Sequence, residues 1–242
     1  MISKEEIISN IKLNYTKVRN EIIEKAQREY RNPGEITLIA VSKTFSAEIL
    51  EYALESGIRI FGENYAQEFR DKITFFENKT LKPQWHFIGH LQTNKVKYLI
   101  PHIKLIHTVD SLELAAEINK RAEQHNLIQN ILIQVNTSSE ETKYGISPED
   151  TIKLSQSVLS LRNLNLIGLM TIGTFSTDES IIRKEFSMLR NLRYEVNNKL
   201  GIEKLTELSM GMSHDYLIAI EEGSTILRVG TAIFGERNYS KV

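Results

Sequence analysis

The chain of 242 residues contains no cysteine, which excludes disulfides, thiolate metal sites and cysteine nucleophiles and is compatible with a reducing compartment. Proline occurs only four times, so proline-rich linkers are excluded too. Neither sign of charge is in excess. The 30 Lys and Arg against 31 Asp and Glu leave a net charge of -1, without the basic field that nucleic acid or an anionic membrane requires. No apolar run approaches the ~18 residues of a membrane span. The opening Met1-Ile2-Ser3-Lys4-Glu5-Glu6 is too charged for the apolar region of a secretory signal. These absences lead us to expect a cytoplasmic protein with no nucleic-acid or membrane partner.

What is present suits a globular chain with a sizeable core, 41% hydrophobic and 25% charged. With no low-complexity tract or linker, a single domain over residues 1–242 is expected. Ile7, Ile8, Ile11, Val18, Ile22 and Ile23 mark an amphipathic helix over residues 3–30, with Ser3 as its N-cap and Glu6 three residues on. Eight strands are expected at Leu38 to Val41, Arg59 to Phe61, Trp85 to Ile88, Lys104 to His107, Ile131 to Val135, Leu166 to Met170, Lys204 to Leu208 and Thr225 to Val229. Helical patterns fall between them at Ala47 to Ser56, Asn64 to Phe76, Leu112 to His125, Pro148 to Leu161, Glu179 to Leu200 and His214 to Glu221. This alternation predicts an α/β fold, a closed parallel (β/α)8 TIM barrel with an extra N-terminal helix, over an open doubly wound sheet.

In such a barrel the functional groups lie just after the carboxyl ends of the strands. Lys43 follows the first strand. A lysine facing the barrel mouth loses hydration that its ammonium form needs, so the neutral amine gains. Lowering the pKa from about 10.4 to ~7.5 would make about half of it nucleophilic near neutral pH, at a cost of ~4 kcal/mol. Such an amine condenses with aldehydes; the alternative is a lysine that snorkels to solvent or pairs with a carboxylate such as Glu63. Ser209 to Ser213, with Gly211 among them, and Gly230-Thr231 place hydroxyls and close-approaching backbone after strands seven and eight, where barrels often bind phosphate, although Ser213 and Asp215 equally suit an ordinary helix start. Arg228, on the face of strand eight shared with Ile226 and Gly230, needs either a carboxylate or a ring nitrogen as its partner. An amine, a phosphate cradle and an arginine together are what pyridoxal 5'-phosphate (PLP) requires.

Ala40-Val41-Ser42-Lys43-Thr44, Phe61-Gly62-Glu63-Asn64-Tyr65, Trp85 to Gln92, and Leu208 to Ser213 with Gly223-Ser224-Thr225 to Phe234-Gly235 resemble the pyridoxal phosphate homeostasis proteins over nearly the whole chain. The resemblance implies the barrel of alanine racemase and PLP as cofactor, held by Lys43 as an internal aldimine. It further implies that Ser209, Ser213, Gly230 and Thr231 hold the phosphate, with Gly211 in the same binding segment, that Arg228 faces the pyridine nitrogen, and that Asn64 lies beside the cofactor. Family members are described as buffering the cofactor without established turnover. The chain departs from the expected pattern at Thr171-Ile172-Gly173, where a proline is expected after the Gly-Leu-Met strand.

His86 and His90 have a metal-like spacing on a helix, but on a strand four residues span some 13 Å, so no metal is expected. His86 reads instead as a residue at or behind the cofactor edge, while His102, His107 and His125 read as packing or solvent-facing. Lys143-Tyr144-Gly145 reads equally as a second cation at the mouth or as a solvated loop. Met210 and Met212 either pack on a ring face or fill gaps.

The resulting expectation is a monomer that binds PLP and other B6 vitamers and passes PLP to dependent apoenzymes, with no catalytic residues assigned. Two enzyme readings share Lys43: an amino-acid racemase and a Schiff-base lyase acting on phosphosugars. The racemase is disfavoured because carbanion chemistry needs acid and base groups on both faces, because only seven residues follow Gly235, and because an arginine at the ring nitrogen weakens the electron sink.

Overall fold

The computed structural model describes residues 3–138, 140 and 143–236. Eight parallel strands follow one another around a closed barrel: β1 (Thr37–Val41), β2 (Ile60–Glu63), β3 (Gln84–Phe87), β4 (Ile103–Val109), β5 (Gln129–Gln134), β6 (Leu164–Met170), β7 (Glu207–Ser209) and β8 (Ile226–Val229). Closure is made by β8 against β1, from Thr37 opposite Ile226 to Ala40 opposite Val229. The helices are α1 (Lys4–Arg28), α2 (Ala47–Glu55), α3 (Ala66–Phe76), α4 (Leu112–Gln124), α5 (Thr151–Leu159), α6 (Glu179–Leu200), α7 (Tyr216–Glu221) and α8 (Thr231–Phe234), with 3-10 turns at Pro33–Glu35 before β1 and at Thr93–Tyr98 in place of a helix after β3. No helix of the described residues is long and apolar enough to cross a membrane.

Strand parity divides the core in two. Ile39, Leu105, Leu132, Met170 and Ile226 point inward and fill the barrel, whereas Phe61, Trp85, Phe87, Leu208, Leu227 and Val229 belong to the larger core shared with the helices. Helix α1 is capped by Ser3, whose Oγ accepts the Glu6 N–H at 3.2 Å. Its buried residues Ile11, Val18, Ile22 and Ala26 line one face, which packs on α2, α7 and α8.

Several elements differ from the sequence pattern. Strand β7 begins at Glu207 because Leu205 is tied through both its N–H and C=O to the Asn197 side chain of α6. Helix α3 starts at Ala66, leaving Asn64 in the preceding loop, and α5 starts at Thr151 after a turn in which the Ser147 hydroxyl donates to the Asp150 carboxylate. Helix α8, which the sequence pattern does not announce, puts Thr231 at a helix start.

Candidate functional site

At the carboxyl ends of the strands a cleft of about 750 Å³ is lined by Lys43, Asn64, Met212, Ser213, Arg228, Gly230 and Thr231, with Val41, Ile88, Ile172 and Phe175 as apolar walls. Six of the eight expected site residues therefore share one cavity. Lys43 is half-buried, two residues beyond β1. The turn that carries it is bound to β2 and α3. Ser42 is fully buried and donates from Oγ to Glu63 Oε1 at 2.5 Å, and its carbonyl accepts from Lys72 Nζ at 2.9 Å. Lys72 Nζ also lies 2.7 Å from Glu63 Oε1 and 3.1 Å from Glu68 Oε1. The sequence offered Glu63 as a partner for Lys43; its carboxylate is instead engaged by Lys72 and Ser42. Burial pushes the Glu63 carboxyl up, against the opposing pull of Lys72 and Ser42.

Ser213 is held at the cleft wall by backbone: its Oγ accepts the N–H of Gly230 at 3.2 Å and lies 3.5 Å from the N–H of Ala232, which leaves its own O–H to donate to a ligand. A side chain at Gly230 would meet the Val41 Cβ at 3.3 Å and its carbonyl oxygen at 3.4 Å, which leaves that surface bare backbone. An oxygen-rich anion fits this wall.

Arg228 forms the inner end of the cleft and is only 4% exposed. Nη1 donates to Ser209 Oγ at 2.6 Å and Nη2 to the Thr171 carbonyl at 2.8 Å. Burial lowers its pKa to about 10, partly offset by the charge of Asp215, so the guanidinium stays protonated at neutral pH. No carboxylate bonds it directly among the described residues; its partners are neutral oxygens.

Ser209 and Gly211 are the two expected residues that do not line the cleft. Ser209 is fully buried inside the barrel, because its neighbour Leu208 packs outward and parity turns Ser209 inward. Its Oγ also meets His107 Nδ1 at 2.9 Å, and His107 Nε2 lies 3.0 Å from His86 Nδ1. A guanidinium can only donate, so the Ser209 hydroxyl accepts from Arg228 and donates its O–H to His107 Nδ1, and His107 donates from Nε2 to His86 Nδ1. This direction leaves only His86 Nε2 without a partner; the reverse would also strand the Ser209 proton. Burial pushes the His86 pKa down to about 4 and that of His107 well below its ordinary value, so both rings are neutral. Gly211 serves packing: at φ +100° a Cβ would come within 2.7 Å of Ala219 Cβ, and its carbonyl accepts the Arg228 N–H at 2.9 Å.

The file from Arg228 to His86 was missed by sequence reasoning. The signal was parity: His86 lies between outward-facing Trp85 and Phe87, and His107 lies two residues after inward-facing Leu105. His90, in contrast, stacks on Tyr144 with ring centroids 3.9 Å apart, away from His86. Lys143 bonds Glu140 at 2.8 Å and Thr174 Oγ1 at 3.2 Å on the neighbouring loops and is not among the residues lining the cleft. The two methionines part, Met210 into the core and Met212 onto the cleft wall. The loop that lacks the expected proline is held by Thr171, whose Oγ1 donates to the Val135 carbonyl at 2.9 Å, and it supplies Ile172 to the cleft. Among the described residues no group of three or more His, Cys, Asp or Glu is placed to hold a metal.

Comparison with known proteins gives consistent relatives. Residues 18–238 match the family model described as alanine racemase, N-terminal domain. A pyridoxal phosphate homeostasis protein of Aquifex aeolicus is 45% identical over 220 residues, covering 90% of this chain and 95% of the relative. A structure of PipY from Synechococcus elongatus with PLP bound superposes with TM-score 0.78 at 32% identity, covering 88% of this chain and 100% of that one. An uncharacterised protein of Bifidobacterium adolescentis superposes with TM-score 0.88 at 35% identity over 94% of this chain and 96% of its own.

Proposed function

The chain belongs to the family of pyridoxal phosphate homeostasis proteins built on the alanine racemase N-terminal barrel, and from that premise we propose that it binds PLP and holds it through Lys43. The observation that carries this reading is the convergence on one cleft of a lysine amine, an oxygen-gathering backbone wall at Ser213, Gly230 and Thr231, and a buried arginine. Bound there, PLP would supply an electrophilic aldehyde, and Lys43 is the residue whose amine would hold it covalently. Ser213, Gly230 and Thr231 hold the phosphate by hydrogen bonds strengthened by its charge. Asn64, whose buried Oδ1 has no partner among the described residues, stands ready to orient the ring.

The reading extends to reversible storage. The whole chain acts as one unit, a cytoplasmic monomer that takes up PLP and other B6 vitamers and passes PLP to apoenzymes, without a turnover reaction of its own. Arg228 supports this last point over an amino-acid racemase. Its guanidinium stays charged at neutral pH and its remaining N–H groups can only donate, so a ring nitrogen facing it must accept and stay unprotonated, which weakens the electron sink that carbanion chemistry needs. The test is borohydride reduction of PLP-loaded protein followed by peptide mapping. Label on Lys43, with loss of label in Lys43→Ala, is the expected result; label confined to surface lysines would overturn the assignment.

A further inference from the structure

The Lys43 turn holds an unusual backbone. Thr44, a β-branched residue, adopts φ +69°, a left-handed conformation that such residues take only where their surroundings impose it. The surroundings here are charged, and although Thr44 itself is exposed its N–H is taken by a cluster whose inner members are buried. Thr44 N–H donates to Glu68 Oε1 at 2.5 Å, on the far side of Lys43 from the Ser42 carbonyl that Lys72 grips. Both peptide neighbours of Lys43 are therefore tied to one ion cluster: Lys72, 3% exposed, with Glu63 on β2 and Glu68 on α3. Burying an ammonium and a carboxylate costs desolvation that an apolar plug of the same volume would avoid, so stability alone is a poor reason for this cluster. Geometry is a better one, because charged partners fix direction as well as distance.

We propose that Lys72, Glu63 and Glu68 are positioning residues for Lys43. The cluster clamps the backbone on either side of the lysine so that its amine is aimed into the cleft before any ligand arrives. The inference rests on the reading of Lys43 as the attachment point, and it adds that attachment and cradle binding are separable: the cluster serves the first and leaves the second untouched.

Two ligands separate them. Pyridoxal 5'-phosphate carries the aldehyde that Lys43 captures; pyridoxine 5'-phosphate has the same ring and phosphate with an alcohol in its place. Glu68 is partly exposed, so Glu68→Ala can be made without emptying the core. This variant should slow covalent attachment of pyridoxal 5'-phosphate about tenfold, the factor that loss of one charge-assisted hydrogen bond gives. The dissociation constant of pyridoxine 5'-phosphate should stay within about twofold. Glu68→Gln keeps an oxygen for the Thr44 N–H and should restore most of the rate. The double variant Glu63→Leu with Lys72→Met, which leaves neither of those charges buried alone, should show the same selective slowing. Equal weakening of both ligands, or no slowing with either variant, would overturn the proposal. Undiminished attachment to Lys43→Ala would instead overturn the attachment reading, an outcome the Glu68 comparison does not touch.

Discussion

Replacing Ser209 by alanine removes one hydroxyl from the middle of a buried file. Arg228 Nη1 loses an acceptor at 2.6 Å and His107 Nδ1 loses its donor at 2.9 Å, and all three side chains are buried. A buried hydrogen bond to a charged group contributes about 1.5–3 kcal/mol and leaving the neutral imidazole unpaired costs about 1 kcal/mol more, so the loss should be about 3 kcal/mol. For a chain of this length each kcal/mol lowers Tm by roughly 2–4 °C, which gives a fall of roughly 6–12 °C. The ligand pattern is more diagnostic. Since Ser209 acts through Arg228 and not on the phosphate wall, PLP and unphosphorylated pyridoxal should weaken by the same factor. Thermal unfolding of the ligand-free variant and titration with the two ligands measure both effects. A Tm within about 1 °C of the parent, or a loss confined to the phosphorylated ligand, would refute the reasoning and return Ser209 to the phosphate cradle.

Two further outcomes follow from the same geometry. Thr231→Val and Ser213→Ala should each weaken PLP while leaving pyridoxal nearly unchanged, measured by the same titrations, because both residues line the part of the cleft assigned to the phosphate. Stability should fall as pH drops from about 6.5 to about 4: His86 titrates near 4 when folded against 6.5 when free, so in this window the unfolded chain binds more protons. The gap of about 2.5 pH units corresponds to about 3 kcal/mol lost by pH 4, with His107 adding to it in the same direction. His86→Gln should flatten this dependence in urea unfolding, and an unchanged slope would mean the ring is hydrated in the folded state.

The parts of the fold and site that could be read from the sequence were those governed by local rules. Apolar runs separated by amphipathic stretches lead directly to eight strands with helices between them, and the strand ends then point to Lys43, Asn64, Ser213, Arg228, Gly230 and Thr231, which share one cleft. Less was legible where a residue's contacts depend on partners distant in the chain. Ser209 looks like a phosphate ligand because it precedes a glycine and a second serine, yet its orientation is set by the parity of β7 and its hydroxyl by His107 and Arg228, 102 and 19 residues away. Glu63 looks like a counter-ion for Lys43, yet Lys72, nine residues on along α3, takes its carboxylate. Parity was the tool that would have recovered the first. Applied to β3, β4, β7 and β8 alike, it sends His86, His107, Ser209 and Arg228 inward, and four polar residues facing one another inside a barrel must satisfy one another's hydrogen bonds. For the ion cluster no such rule was at hand. The i, i+4 spacing of Glu68 and Lys72 reads as a surface pair on a helix, and only the approach of α3 to the end of β1 turns it into the buried clamp behind Lys43. Helix packing, not pattern, therefore decides which of the chain's many charged pairs reaches the site.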